Sequence, residues 1–144
     1  MLSKFLNHHP LFKECVEKLN PTILSDQESE EMLKLFETLF PITKWGKIDW
    51  EKIDKKIKVD FDPEEIIPAL KKLLGDAINK SVYIVWNDAG IPIIQAHLDT
   101  VVQNFDYVTC VSFDKFIFNP DIAYIVEVLS GNKITVSVIP QTHT

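Results

Sequence analysis

Arginine is absent from this chain, and all 15 of its basic residues are lysines. The planar fork that grips phosphate, carboxylate and guanine edges with two bonds is therefore missing, which argues against nucleotide chemistry and specific reading of nucleic acid. Glycine is scarce, with Gly46, Gly75, Gly90 and Gly131 scattered singly, so neither a P-loop nor a GxGxxG cradle can be built. The two cysteines, Cys15 and Cys110, lie far apart in apolar segments, which predicts buried free thiols and a reducing, cytoplasmic setting. No run reaches the roughly 18 apolar residues of a membrane span. Charges interrupt the opening MLSKFLNHHPLFKECVEKL, which reads as neither signal peptide nor anchor, so no membrane partner is expected. His8 and His9 are adjacent, His97 and His143 stand alone, and CxxC and HExxH are missing. No metal and no cofactor are expected.

What remains is an ordinary globular composition: 144 residues, 46% hydrophobic and 25% charged, enough for one domain over 1–144 with a core of its own. The formal charge is −6, unevenly placed. Residues 1–80 carry 13 lysines against 15 acids, whereas 81–144 carry only Lys115 and Lys133 against six acids. A field of one sign steers a basic partner. Plain solubility is the other reading of the same charge. Direct nucleic-acid binding does not fit a pI near 5.1.

The first 80 residues read as mainly helical. Ser25 followed by Glu28 is a capping-box signature, and the spacing predicts a helix over 26–40. Residues 42–61 mix lysines and acids around Trp45 and Trp50, as in a solvated loop or short helix. Asp62-Pro63 resembles an N-cap with proline in the first helical position, and Pro68 defers the helix proper toward 68–75.

After Asn79 the pattern changes. The run VYIVW at 82–86 predicts a strand buried on both faces. Residues 93–105 predict an amphipathic helix, and 108–113 a second strand, parallel to the first in a right-handed βαβ unit. A short strand or extended segment follows at 115–118. Strands at 123–129 and 134–139, joined across Gly131-Asn132, predict a hairpin with a wetter side carrying Glu127, Thr135 and Ser137. The expected fold is α+β: a helical N-terminal part packed on a mixed sheet that contains the βαβ unit and the C-terminal hairpin.

On the predicted helix, Gln95, Asp99, Gln103 and Asp106 recur at spacings of four, four and three, on one polar stripe opposite the core. With no lysine among them, they form a candidate contact surface for a basic partner. A solvated helix face weighs about equally. Asp114, Asp121 and Glu127 extend the same field. Asp88, at the end of the first strand, with His97, Asp99 and Asp114 expected near it, is the best catalytic candidate, although Asn87-Asp88 before Gly90 and Pro92 is also ordinary turn chemistry.

The block YIVWNDAGIP at 83–92, then Leu98, the run Asn104-Phe105-Asp106-Tyr107-Val108, and Val111-Ser112-Phe113-Asp114 resemble a family of small bacterial immunity proteins of contact-dependent growth inhibition. The resemblance covers roughly 82–139, departs at 115–118 and in the hairpin after Ala123, and leaves the first 80 residues unmatched. It implies a non-catalytic cytoplasmic inhibitor that binds the C-terminal toxin domain of a large exported adhesin, often a basic nuclease, and blocks its active site. The contact residues are not carried over from the family; the polar stripe and its field make Gln95, Asp99, Gln103, Asp106 and Asp114 the expected ones. Two rivals stand beside it: a small hydrolase using Asp88 and His97, and an interaction module held by Trp45 and Trp50.

Overall fold

The computed structural model describes residues 9–43, 48–53, 55–76, 78–86, 90–112, 114–129, 131 and 133–138. Helix α1 (Pro10–Leu19) begins where His9 Nδ1 accepts the Phe12 N–H at 3.1 Å and ends at Asn20 in the left-handed region, φ 47°. Helix α2 (Asp26–Leu39) opens with the expected capping box. Ser25 Oγ accepts the Glu28 N–H at 3.1 Å, and the Glu28 carboxylate accepts the Ser25 N–H at 2.9 Å. Those bonds, the backbone one foremost, hold the Glu28 carboxyl below its ordinary range. Helix α3 (Ile66–Leu74) follows a tight turn at Pro63–Glu65 and stops at Gly75, φ 88°. Pro68 lies in its first turn, where the missing N–H has no intrahelical partner to lose.

Among the described residues, seven strands form one sheet: β1 (Thr22–Ile23), β2 (Lys56–Asp60), β3 (Ser81–Trp86), β4 (Ile94–His97), β5 (Lys115–Asn119), β6 (Tyr124–Leu129) and β7 (Lys133–Val138). Their order is β1-β4-β3-β5-β6-β7-β2, and each neighbouring pair is antiparallel. The α+β class holds, with helices on an antiparallel sheet. The mixed sheet and the βαβ unit do not.

The reason lies in 93–113. Ile94 pairs with Ile84 and is fully buried, so β4 folds back on β3 as an antiparallel neighbour. The helix expected from 93 starts only after His97, as α4 (Leu98–Gln103), and breaks at Asn104, φ −118°. Over 108–112 the expected strand is replaced by α5 (Phe105–Thr109) and a turn, with Val108 and Val111 in the core, while Phe113 lies outside the described residues. β-branched residues carry strand preference as a fit to a half-buried surface, and here a helix supplies that surface. The chain then returns as β5, antiparallel to β3 on the side away from β4. The first 80 residues also supply the two outermost strands, β1 and β2.

Alternation along the strands divides the core in two. Val82, Ile84, Trp86, Ile117, Tyr124, Val126 and Val128 join Phe12 of α1, Leu70 of α3 and Val101 of α4 on one face. Val85, Phe116, Phe118 and Ile125 meet Phe36 and Phe40 on the other. Phe36 lies 4.9 Å from Phe118 and 5.2 Å from Phe116 between ring centroids, so α2 is clamped by tilted aromatic packing.

The C-terminal hairpin forms as expected, with Val126 opposite Val136 and Val128 opposite Ile134; Ser130 and Asn132 of its turn lie outside the described residues. Its wetter side needs correction. Glu127 and Ser137 are buried, because the 48–52 segment and the chain at Lys55 cover them. Ser137 Oγ donates to the Lys55 carbonyl. Cys15 is buried as expected, and burial pushes its thiol up to about 12. Cys110 is exposed, contrary to expectation, because the strand that would have buried it is a helix end.

Candidate functional site

The α4–α5 segment carries most of the predicted contact residues, and its position is set from beneath. Trp86 and Lys115 stand opposite each other on β3 and β5. Trp86 Nε1 donates to the Val108 carbonyl at 3.0 Å, while Lys115 Nζ donates to the Thr109 and Ser112 carbonyls at 3.1 and 2.8 Å. A cation at a helix C-terminus satisfies carbonyls that the helix leaves open and opposes its dipole. Lys115 is almost wholly buried, and loss of water around its ammonium draws its pKa down to about 8 against the pull of Asp114 and Cys110. At the other end, His97 Nδ1 accepts the Asp99 N–H at 3.3 Å as the cap of α4.

The predicted stripe is split by this arrangement. Gln95 lies on β4 rather than on a helix, opposite Tyr83, and donates to Ser81 Oγ at 3.0 Å. It lines a groove on the α2 side of the sheet with Glu28, Glu31, Met32 and Leu35. Asp99 stands in the first turn of α4, where Lys80 Nζ approaches its Oδ2 to 3.2 Å. The charge expected to lack a lysine therefore has one. Gln103 and Asp106 are both exposed, and the structure brings them together along a shallow groove with Pro63, Val102 and Tyr107. Asp114 is half-buried beside Lys115.

The rival residues fare differently. Asp88 and Trp45 lie outside the described residues. His97 is exposed and committed to capping α4. Trp50 is held inward, its Nε1 donating to Glu127 Oε1 at 2.7 Å, with the Ile48 N–H on Oε2 at 3.0 Å. Among the described residues, no group of three or more His, Cys, Asp or Glu is placed to hold a metal ion. No helix of the described residues is long and apolar enough to cross a membrane.

Sequence reasoning missed Phe61 altogether. It sits between Asp60 and Asp62 and is 68% exposed. One signal was available: an aromatic residue with Asp60 and Asp62 on either side and Pro63, Glu64 and Glu65 after it stands where acids and a proline mark a turn.

These features describe an exposed polar surface. Its polar groups lie in open grooves, and the shifted titrations belong to buried Cys15, Tyr124 and Lys115 and to the capping Glu28. No individually curated protein matches the chain significantly. The family described as CdiI immunity protein EcoliA0-like matches residues 9–137, including the N-terminal helices that had resembled nothing. The chain belongs to this family of immunity proteins, which neutralise the toxins of contact-dependent growth inhibition.

Proposed function

We propose that the protein neutralises a basic toxin domain in the cytoplasm, by laying acidic surface over its active site, and that the toxin is a nuclease carried at the C-terminus of a large exported adhesin. The observation that carries this reading is the grouping of exposed Asp106 and Gln103 on one groove, in the half of the chain that has only two lysines against six acids. A nuclease presents cations where phosphates bind, and carboxylates arranged on a fixed helix pair imitate that ligand without being cleaved. Asp99 and Asp114 border the same segment, and Gln95 contributes from the opposite side of the sheet.

The test is co-purification with the toxin domain encoded immediately upstream, followed by toxin activity with and without the protein. A stoichiometric, inactive complex is expected. Asp99→Lys combined with Asp106→Lys is expected to slow association roughly tenfold with the fold intact, Asp106 contributing more because Lys80 already offsets Asp99. An unchanged association rate makes the α4–α5 surface a solvated face. Failure of the unaltered protein to bind or silence that toxin removes the reading itself.

A further inference from the structure

A single exposed phenylalanine needs no explanation; Phe61 is distinguished by what surrounds it. Strand β2 slips in register between Lys58 and Asp60, and Asp60 takes the left-handed φ of 51°, so the chain turns away from the sheet edge at this residue. Asp60, Asp62, Glu64 and Glu65 are exposed around it. Pro63, in the middle of that run, forms a wall of the groove that holds Gln103, Asp106 and Tyr107. The acidic segment and the α4–α5 surface, two distant parts of the sequence, thus meet at Pro63. Lys58 and Lys72 offset part of the acidic charge in a neighbouring hollow with Asp62 and Glu65.

Tyr107 shows what chemistry this surface accepts. It is 36% exposed, and the Lys18 ammonium already lies 5.2 Å from its ring centroid. An aromatic face beside carboxylates receives a cation twice over, through the ring and through the charge. A guanidinium suits both, since it stacks flat on a ring while its edge pairs with a carboxylate.

We infer that Phe61, on the acidic run that reaches the groove of Asp106 and Tyr107 through Pro63, is the anchor by which the protein holds an arginine- and lysine-bearing face of its toxin, the ring buried against the stems of those side chains. The inference rests on the immunity reading and adds to it the residue that governs release. A well-desolvated aromatic at the centre of a charged rim is the usual position of a binding hot spot.

The test uses the intact protein and the upstream toxin domain, made inactive by substitution, with binding followed in real time and melting followed in parallel. Phe61→Ala is expected to raise Kd at least tenfold, chiefly through faster dissociation, at an unchanged melting temperature. Phe61→Tyr is expected to bind as the parent does. Glu64→Lys is expected to slow association, whereas Glu30→Lys, the same change of charge on α2, does so far less. Binding by Phe61→Ala within twofold of the parent overturns the anchor while leaving immunity standing. Equal effects of Glu64→Lys and Glu30→Lys reduce the acidic run to net charge and overturn the anchor as well. If the parent itself does not bind, the immunity reading falls, and the anchor with it.

Discussion

Lys115 carries an ammonium into the sheet interior, and its three donors explain why the fold accepts it. Two of them meet the Thr109 and Ser112 carbonyls, beside the Val108 carbonyl that Trp86 occupies. Burial still disfavours the charged form, and its pKa falls from the ordinary 10.5 to about 8. Because the unfolded chain then binds more protons between about pH 8 and 10.5, this group lets stability rise with pH across that window. Relative to Lys115→Met, the parent is expected to gain up to about 3 kcal/mol from pH 8 to 10.5, read by denaturant unfolding at stepped pH. A constant difference would mean that the ammonium stays charged in the folded state throughout. The burial of Lys115 was not legible in the sequence, where a lone lysine after Asp114 looks like any surface residue.

At the scale of elements, segments that are weak by themselves are fastened by long-range bonds. The turn at Trp50–Lys52 has no side-chain cap of its own. It is tied to β6 by Glu127, whose carboxylate accepts the Trp50 Nε1–H and the Ile48 N–H across 77 and 79 residues of chain. Glu127→Gln exchanges a double acceptor for a group that presents N–H to N–H. We expect it to lower stability by roughly 1–3 kcal/mol and to speed hydrogen exchange at Ile48 and Trp50 more than in α1. Uniform acceleration would show that Glu127 supports the whole sheet and not this segment. The alternation of 124–138 specified the hairpin and its register, because period 2 leaves one apolar face to bury. It could not show that Glu127 on the opposite face is covered, since the cover comes from a part of the chain with no pattern. Helix α2 was legible to within a residue or two through Ser25 and Glu28, as capping is local.

For the whole molecule, the consequence of the acid excess is kinetic. A protein of charge −6 that captures a cationic partner does so through a long-range field, which salt screens. Association with the toxin is expected to slow at least roughly tenfold from low salt to several hundred millimolar, with dissociation much less affected, as measured by stopped flow. If dissociation carried the salt dependence instead, the charges would act as buried pairs and not as steering groups.

The sequence by itself determined the class of molecule and much of its local structure. Lack of arginine, glycine loops and metal spacing bears on chemistry directly, and capping boxes, alternation and charge are properties of neighbours in the chain. Only the tertiary structure decided the direction of β4, the helical state of 105–109, and the meeting of Pro63 with Asp106. Ile93 and Ile94 fit the apolar stripe of a helix as readily as a strand, and pairing with β3 across the sheet selected the strand. Val108 has strand preference, yet core packing together with Trp86 and Lys115 at the helix end selected the helix. Those choices rest on contacts between distant residues, whose energies outweigh the few tenths of a kcal/mol by which local propensity separates one conformation from another.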